Sequence, residues 1–259
     1  MRAKRTYPWR LAVITGAASG IGRCFAETLA ADGCSLLLID RNDCVLSAVD
    51  VDIHTLRLDL TEPDAPLKVM QHLDAASLTP DLLINNAGIF DFKAVNDLSR
   101  ERIDTYIGLH MRVVTHLSRL MAARMAQTGG GCILNMSSMS CWMPMPGIAL
   151  YAATKAYIRV FSRALNVELR GGGVTVTVAC PGGIATDLFG LPRNLQRLGV
   201  RVGALATPEK FVHNALHRCM HRKSQYINGL LNRIAIPLVA MLPISARHLI
   251  KTKLLDRIK

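Results

Sequence analysis

The sequence predicts a doubly wound α/β fold, an open parallel sheet with helices on both faces, and three observations carry that prediction. Apolar runs of about five residues alternate with segments of helical spacing at least six times along the 259 residues. The runs are apolar on both faces, which suits strands in the middle of a sheet covered by helices. Each run also ends in a glycine or a small polar cluster, and such sheets bind their ligands at the carboxyl ends of the strands.

Taken in order, Arg10–Thr15 is a strand that feeds a glycine cluster and then a helix over Arg23–Ala31, stopped by Gly33. Ser35–Ile39 ends at Asp40, Ile53–Leu58 ends at Asp59, and Leu82–Ile84 ends in Asn85-Asn86-Ala87-Gly88. A long helical pattern covers Ser99–Gln127 and breaks at Gly129–Gly131. The strand Cys132–Met136 runs into Ser137-Ser138, a helix covers Tyr151–Leu169, and Val174–Ala179 is a β-branched strand. Parallel neighbours need crossover connections, which the intervening helices supply. We expect one catalytic domain over residues 1–225, with a lid at about 187–210. A basic amphipathic extension over 226–259 is expected to pack on it.

The net charge of +12 suggests a nucleic-acid ligand until it is located. The two ends supply eight of those charges, from Arg2, Lys4, Arg5 and Arg10 and from the basic residues of 247–259. The body is only mildly basic, so nucleic acid is not expected. The ends are either solvated tails or contacts for an anionic membrane surface or an acidic carrier protein. Near the C-terminus Ile250, Leu254 and Ile258 fall on one helical face, suited to a membrane surface or to an apolar patch of a subunit. The seven cysteines are scattered, with no Cys-x-x-Cys pair and no zinc spacing. They read as core thiols of a reducing compartment, and no metal is expected. Leu11–Ile14 is too short for a signal-peptide core, and Pro237 and Pro243 interrupt the apolar stretch after Gly229. A cytoplasmic location, with a peripheral membrane position as an alternative, is the expectation.

The turn Thr15-Gly16-Ala17-Ala18-Ser19-Gly20-Ile21-Gly22 lies between the first strand and the first helix. Gly16 permits a tight turn, Gly20 lets the backbone approach a pyrophosphate, and Gly22 lets helix and strand pack closely. Its place between strand and helix reads as the nucleotide-binding turn of a Rossmann-type fold, the alternative being a turn that serves the chain path alone. Asp40 lies about 18 residues beyond Gly22, where a carboxylate accepts hydrogen bonds from ribose hydroxyls and repels a 2′-phosphate. It favours NAD, whereas Arg41 beside it would suit the phosphate of NADP. Asp40 also reads simply as the start of an Asx turn toward Asn42 and Asp43.

Tyr151 and Lys155 stand four apart on a predicted helix and so share a face. An ammonium beside a phenol favours the phenolate and is expected to bring its pKa down from about 10. Ser138, at the end of the preceding strand, is placed to hold a substrate oxygen as charge develops on it. An ordinary amphipathic helix also holds Tyr and Lys four apart, so the pair alone decides nothing.

TGAASGIG, NNAG, the spacing of Ser138 and Tyr151, YAATK and Pro181-Gly182 occur together in the order found in the short-chain dehydrogenase/reductase family, which the chain resembles over residues 9–190. The resemblance implies an NAD(P)-dependent oxidoreductase acting on a secondary alcohol or ketone. Tyr151 would be its general acid/base, Lys155 would hold the nicotinamide ribose, and Ser138 would orient the substrate. Thr15, Gly16, Ser19, Gly20, Ile21, Gly22, Asp40 and Arg41 would serve the cofactor. Asp59 and Leu60 would flank adenine, and Asn86, Ala87 and Gly88 would support the cofactor. Pro181, Gly182, Ile184 and Thr186 would meet its nicotinamide end. One departure stands out. Where the family commonly places a relay Asn, an ungapped alignment puts His110, either a substitute in the proton relay or a packed helix residue. Ser140, Trp142, Met143 and Met145 are expected to line the substrate pocket, favouring an apolar or acyl-type substrate, though such Met residues also suit a core. The family implies a homodimer or homotetramer through the helices of 99–127 and 151–170. The alternative to an enzyme is a nucleotide-binding sensor or scaffold without turnover.

Overall fold

A computed structural model describes residues 5–46, 50–186, 188, 192–201 and 205–255. Seven strands form one parallel sheet in the order β3-β2-β1-β4-β5-β6-β7. They are β1 Leu11–Thr15, β2 Ser35–Asp40, β3 Ile53–Arg57, β4 Leu82–Asn85, β5 Gly131–Met136, β6 Val174–Cys180 and β7 Gln225–Ile227. The order reverses between β1 and β4, so a crevice opens above their carboxyl ends. The helices are α1 Gly20–Ala31, α2 Ala65–Ala75, α3 Arg100–Ile107, α4 Val113–Gln127, α5 Ala149–Glu168, α6 Arg193–Arg201, α7 Pro208–Met220, α8 Leu230–Ala240 and α9 Ile244–Ile250. The doubly wound prediction therefore holds.

The period-two geometry of a strand divides the core into two layers. Ala12 and Ile14 of β1, with Leu36 and Leu38 of β2, pack on one face with Phe25 and Leu29 of α1 and Phe211 and Leu216 of α7. Val13, Leu37 and Ile39 face the opposite way, against Val69 and Leu73 of α2 and Leu117 and Met121 of α4. At the sheet centre Asn85 donates to Asn135 Oδ1 at 2.8 Å, and Asn135 donates to Ser162 Oγ at 2.9 Å. These bonds satisfy polar side chains in an otherwise apolar layer.

The structure departs from the sequence expectations in four places. The expected helix of Ser99–Gln127 is interrupted by a π-helical turn at Gly108–Arg112, so α3 and α4 are separate elements. Cys132 of β5 and Cys219 of α7 form a disulfide across 87 residues, whereas the scatter of thiols predicts independent core residues. The element order brings those two positions together, and linear spacing does not carry that information. Regular structure at α2, α7 and β7 lies outside the elements that the apolar pattern delineates. In the tail, α9 ends at Ile250 and a π-helical turn occupies Lys251–Leu255, while Ile258 lies outside the described residues. The extension touches the body through buried Ile236 and through Asn232, yet Leu231, Leu238, Met241 and Ile244 remain exposed.

Candidate active site

The carboxyl ends of β1, β2, β4, β5 and β6 converge on a cavity of about 910 Å³. Gly16, Ser19, Gly20 and Ile21 line it from the first turn, and Asp40 and Arg41 line it from the second strand. Asp59 and Leu60 follow, then Asn86, Ala87 and Gly88, then Ser138, Tyr151 and Lys155, and finally Pro181, Gly182, Ile184 and Thr186. Thr15 and Gly22, also expected here, stand just behind the wall. The Thr15 hydroxyl accepts from the amides of Asn86 (2.9 Å) and Ala87 (3.1 Å). The Asn86 carboxamide donates back to the carbonyls of Thr15 and Gly16, at 3.1 Å each. At Gly22 a Cβ would stand 2.0 Å from the Gly16 carbonyl oxygen, so only glycine lets α1 close on the turn.

The turn fits a dinucleotide. Ser19 makes no side-chain cap to α1 and the first turn of that helix holds no acid, so its amides remain available to an anion. Gly20, with φ of 56°, would carry a Cβ facing open space, so the backbone is bare to a ligand there. Asp40 accepts from the Asn42 amide at 3.0 Å, the Asx-turn bond, and from the Ala18 amide at 3.1 Å, which ties it to the glycine turn. Asp59 accepts from the amide and hydroxyl of Thr61, and those bonds hold its carboxyl below the usual range.

Tyr151, Lys155 and Ser138 are all buried on that wall. The Tyr151 hydroxyl is hydrogen-bonded to Ser138, and the ring packs edge-on against Phe90 with centroids 5.0 Å apart. Lys155 donates from Nζ to the Met136 carbonyl at 3.0 Å, and Nζ lies 5.6 Å from the centre of the tyrosine ring. Ser137 Oγ donates to the Lys155 carbonyl at 2.7 Å, which seats α5 on the end of β5. Burial pushes the Tyr151 phenol up to about 12, opposed by the Ser138 hydrogen bond, and brings Lys155 down to about 8. The expected lowering of the phenol's pKa is therefore not what this arrangement does. The cost of burying a phenolate dominates, and the ammonium bonds a backbone carbonyl.

His110 sits in the π-helical turn, fully buried. Its Nε2 accepts from the Ile89 amide at 3.1 Å, which leaves Nδ1 to donate to Thr154 Oγ1 at 2.9 Å. Thr154 in turn donates to the Tyr151 carbonyl at 2.9 Å. Both ring nitrogens are committed to protein groups. Burial, with Lys155 and Arg102 adding to it, holds the ring's pKa well below 6.5. Such bonds are those of a packed residue, and among the described residues His110 is not part of the cavity lining, although Gly88 stands between its Nε2 and Lys155 Nζ.

The four expected substrate residues do not reach the cavity wall among the described residues. Met139–Trp142 forms a 3₁₀ turn directly after Ser138. Trp142 lies under the Arg159 guanidinium at 4.4 Å, Ser140 is buried, and Met143 and Met145 are half-buried. The cavity walls include instead Ile89, Arg102, Thr105, Leu109, Arg193 and Arg197, none of which the motifs single out. Arg102 is paired with Asp91 at 2.6 Å. Among the described residues no group of three His, Cys, Asp or Glu side chains is placed to hold a metal ion.

The short chain dehydrogenase family profile matches residues 10–195. The chain belongs to the short-chain dehydrogenase/reductase family. Within it, the chain is 34% identical over 190 residues to the very-long-chain 3-oxoacyl-CoA reductase-A of Danio rerio, an alignment covering 68% of this chain and 59% of that protein. A short-chain dehydrogenase from Sphingobium yanoikuyae, solved in complex with NADPH, superposes with a TM-score of 0.71 at 28% identity, covering 91% of this chain and 97% of that one. A 4-hydroxyisoleucine dehydrogenase complexed with NADH superposes with a TM-score of 0.76 at 25% identity, covering 84% and 96%. The chain thus spans less than two thirds of the length of the fish reductase, whereas it spans nearly all of these two family structures.

Proposed function

We propose that this chain is an NAD(P)-dependent oxidoreductase that interconverts a ketone and a secondary alcohol on an apolar or acyl-type substrate. The observation that carries this reading is Tyr151, bonded to Ser138 at a cavity wall that also holds a nucleotide-type glycine turn, with Lys155 fixed behind it. When bound, nicotinamide would supply or accept the hydride. In reduction, Ser138 holds the carbonyl oxygen and Tyr151 gives its proton to that oxygen as negative charge gathers there. Lys155 then stabilises the phenolate left behind.

For the cofactor, Gly16, Ser19, Gly20 and Ile21 would cradle the pyrophosphate, Asp59 and Leu60 the adenine, and Pro181, Gly182, Ile184 and Thr186 the nicotinamide end. Asp40 favours NAD over NADP, because its carboxylate repels a 2′-phosphate. The apolar lining from Ile89, Leu109 and Val200, and the similarity to a 3-oxoacyl-CoA reductase, support an acyl-type substrate. A homodimer or homotetramer is consistent with Val160 and Val167, both more than half exposed on one face of α5. The test is Tyr151→Phe assayed with NADH, NADPH and a series of apolar ketones. The variant should lose at least about 100-fold in kcat/KM, the scale of a missing acid/base group, and retain cofactor affinity. Unchanged turnover would refute the assignment.

A further inference from the structure

The strongest unexplained feature lies outside the cavity, on the C-terminal helices. Leu231, Ile234, Leu238 and Met241 recur along α8 on one helical face, and all are more than half exposed. Ile244, at 82% exposure, opens α9 beyond the 109° bend that follows α8. Single exposed apolar residues are ordinary, whereas a continuous ridge marks a contact surface. The charge around it has one sign. Arg233, Arg247, Lys251 and Lys253 accompany the ridge, and the sequence holds no Asp or Glu from Lys210 to Leu255.

We propose that this ridge docks on a bilayer containing anionic lipid, with α8 lying along the surface and its flanking cations on the headgroups. Charge complementarity selects this occupant. A second copy on the same face would bring Arg233 toward its own equivalent with no acidic residue on α8 between the two, whereas an anionic headgroup neutralises each. The geometry also favours lying on the surface over crossing it. Among the described residues no single helix is long and apolar enough to span, and the pair Leu231–Ala240 and Ile244–Lys253 turns through 109°.

The ridge is also next to the cavity. Asn232, in the first turn of α8, packs so closely on Gly182 that a Cβ there would stand 2.2 Å from its carboxamide nitrogen. Gly182 itself lines the cavity and donates its amide to Asn228 at 2.6 Å. Docking on this face leaves one helix, α8, between the lipid surface and the Gly182 wall of the cavity.

Flotation with vesicles tests the proposal and reads docking without turnover, so it stands or falls apart from the role of Tyr151. The full chain should float with phosphatidylcholine vesicles holding about a third phosphatidylglycerol and lose most of that binding on pure phosphatidylcholine. Leu238→Ser with Met241→Ser should weaken partitioning about 100-fold, since both side chains are exposed and their loss removes apolar contact only from the docked state. Lys251→Gln with Lys253→Gln should weaken it about thirtyfold on the anionic vesicles. Cofactor titration of both variants checks that the fold is intact. Absence of flotation on either vesicle, or flotation that the two serine substitutions leave unchanged, overturns the proposal. So does a concentration-dependent dimer abolished by those substitutions, which would give the face to a second copy.

Discussion

Removing the ring of His110 should destabilise the fold by an amount that its contacts allow to be worked out. In His110→Ala the Ile89 amide and the Thr154 hydroxyl each lose a partner, at about 1 kcal/mol per bond. The space of a buried ring adds about 3 kcal/mol, the lower end of ring-to-alanine substitutions. The sum, about 5 kcal/mol, is a third or more of the stability of a typical domain. For a chain of this length it corresponds to a fall in Tm of about 10–20 °C. Thr154→Val removes the Nδ1 partner together with the bond to the Tyr151 carbonyl and should cost about 1–3 kcal/mol. The effect has a pH signature as well. The folded pKa of His110 lies below its unfolded value of about 6.5, because burial, Lys155 and Arg102 all oppose the imidazolium. Its contribution is therefore complete above that pH and is lost as pH falls below it, where the unfolded chain takes up a proton that the folded chain refuses. Thermal melts between pH 5 and 8 should show a steeper acid loss for the wild type than for His110→Asn. A variant His110→Ala melting within about 3 °C of wild type, less than 1–2 kcal/mol, would refute the argument that both ring nitrogens are pinned.

Two further outcomes follow from the site. Reduction needs Tyr151 protonated and Lys155 charged, and these groups lie near 12 and 8, so kcat/KM for ketone reduction should be flat below neutrality and fall as pH rises through about 8. A profile level to pH 10 would show that the ammonium is not required. Asp40→Ala should lower NADH affinity by about tenfold or more, the loss of a charged hydrogen bond, and leave NADPH less disfavoured. An unchanged ratio of the two affinities would show that Asp40 serves the turn, through Ala18 and Asn42, and not the ribose.

The fold was legible because β1, β2 and β5 are buried on both faces and therefore apolar over most of their length, a pattern that survives without any tertiary knowledge. The glycine turn was equally open to reading, since Gly20 and Gly22 meet backbone requirements that only their residue type reveals. What depended on partners distant in the chain was hidden. Whether His110 carries a relay or packs depends on Ile89 and Thr154, which linear spacing does not place beside it. The pKa of Tyr151 depends on depth of burial, and four-residue spacing to Lys155 cannot supply that. Trp142, Met143 and Met145 advertise an apolar surrounding without saying which one, and the cavity lining does not include them. The residues of α3 and α6 that do face it carry no motif, because a wall needs only the right shape and polarity.

The reciprocal bonds between Thr15 and Asn86 fuse two loops that the chain separates by about 70 residues. Such a brace makes the floor of the cavity one rigid plate, so neither loop can swing aside by itself to admit a dinucleotide. Movement that admits a dinucleotide then falls to other parts of the wall, to which α6 contributes Arg193 and Arg197. Stiffening that plate further would change turnover little, whereas restraining a mobile part of the wall would slow the release of whatever it encloses.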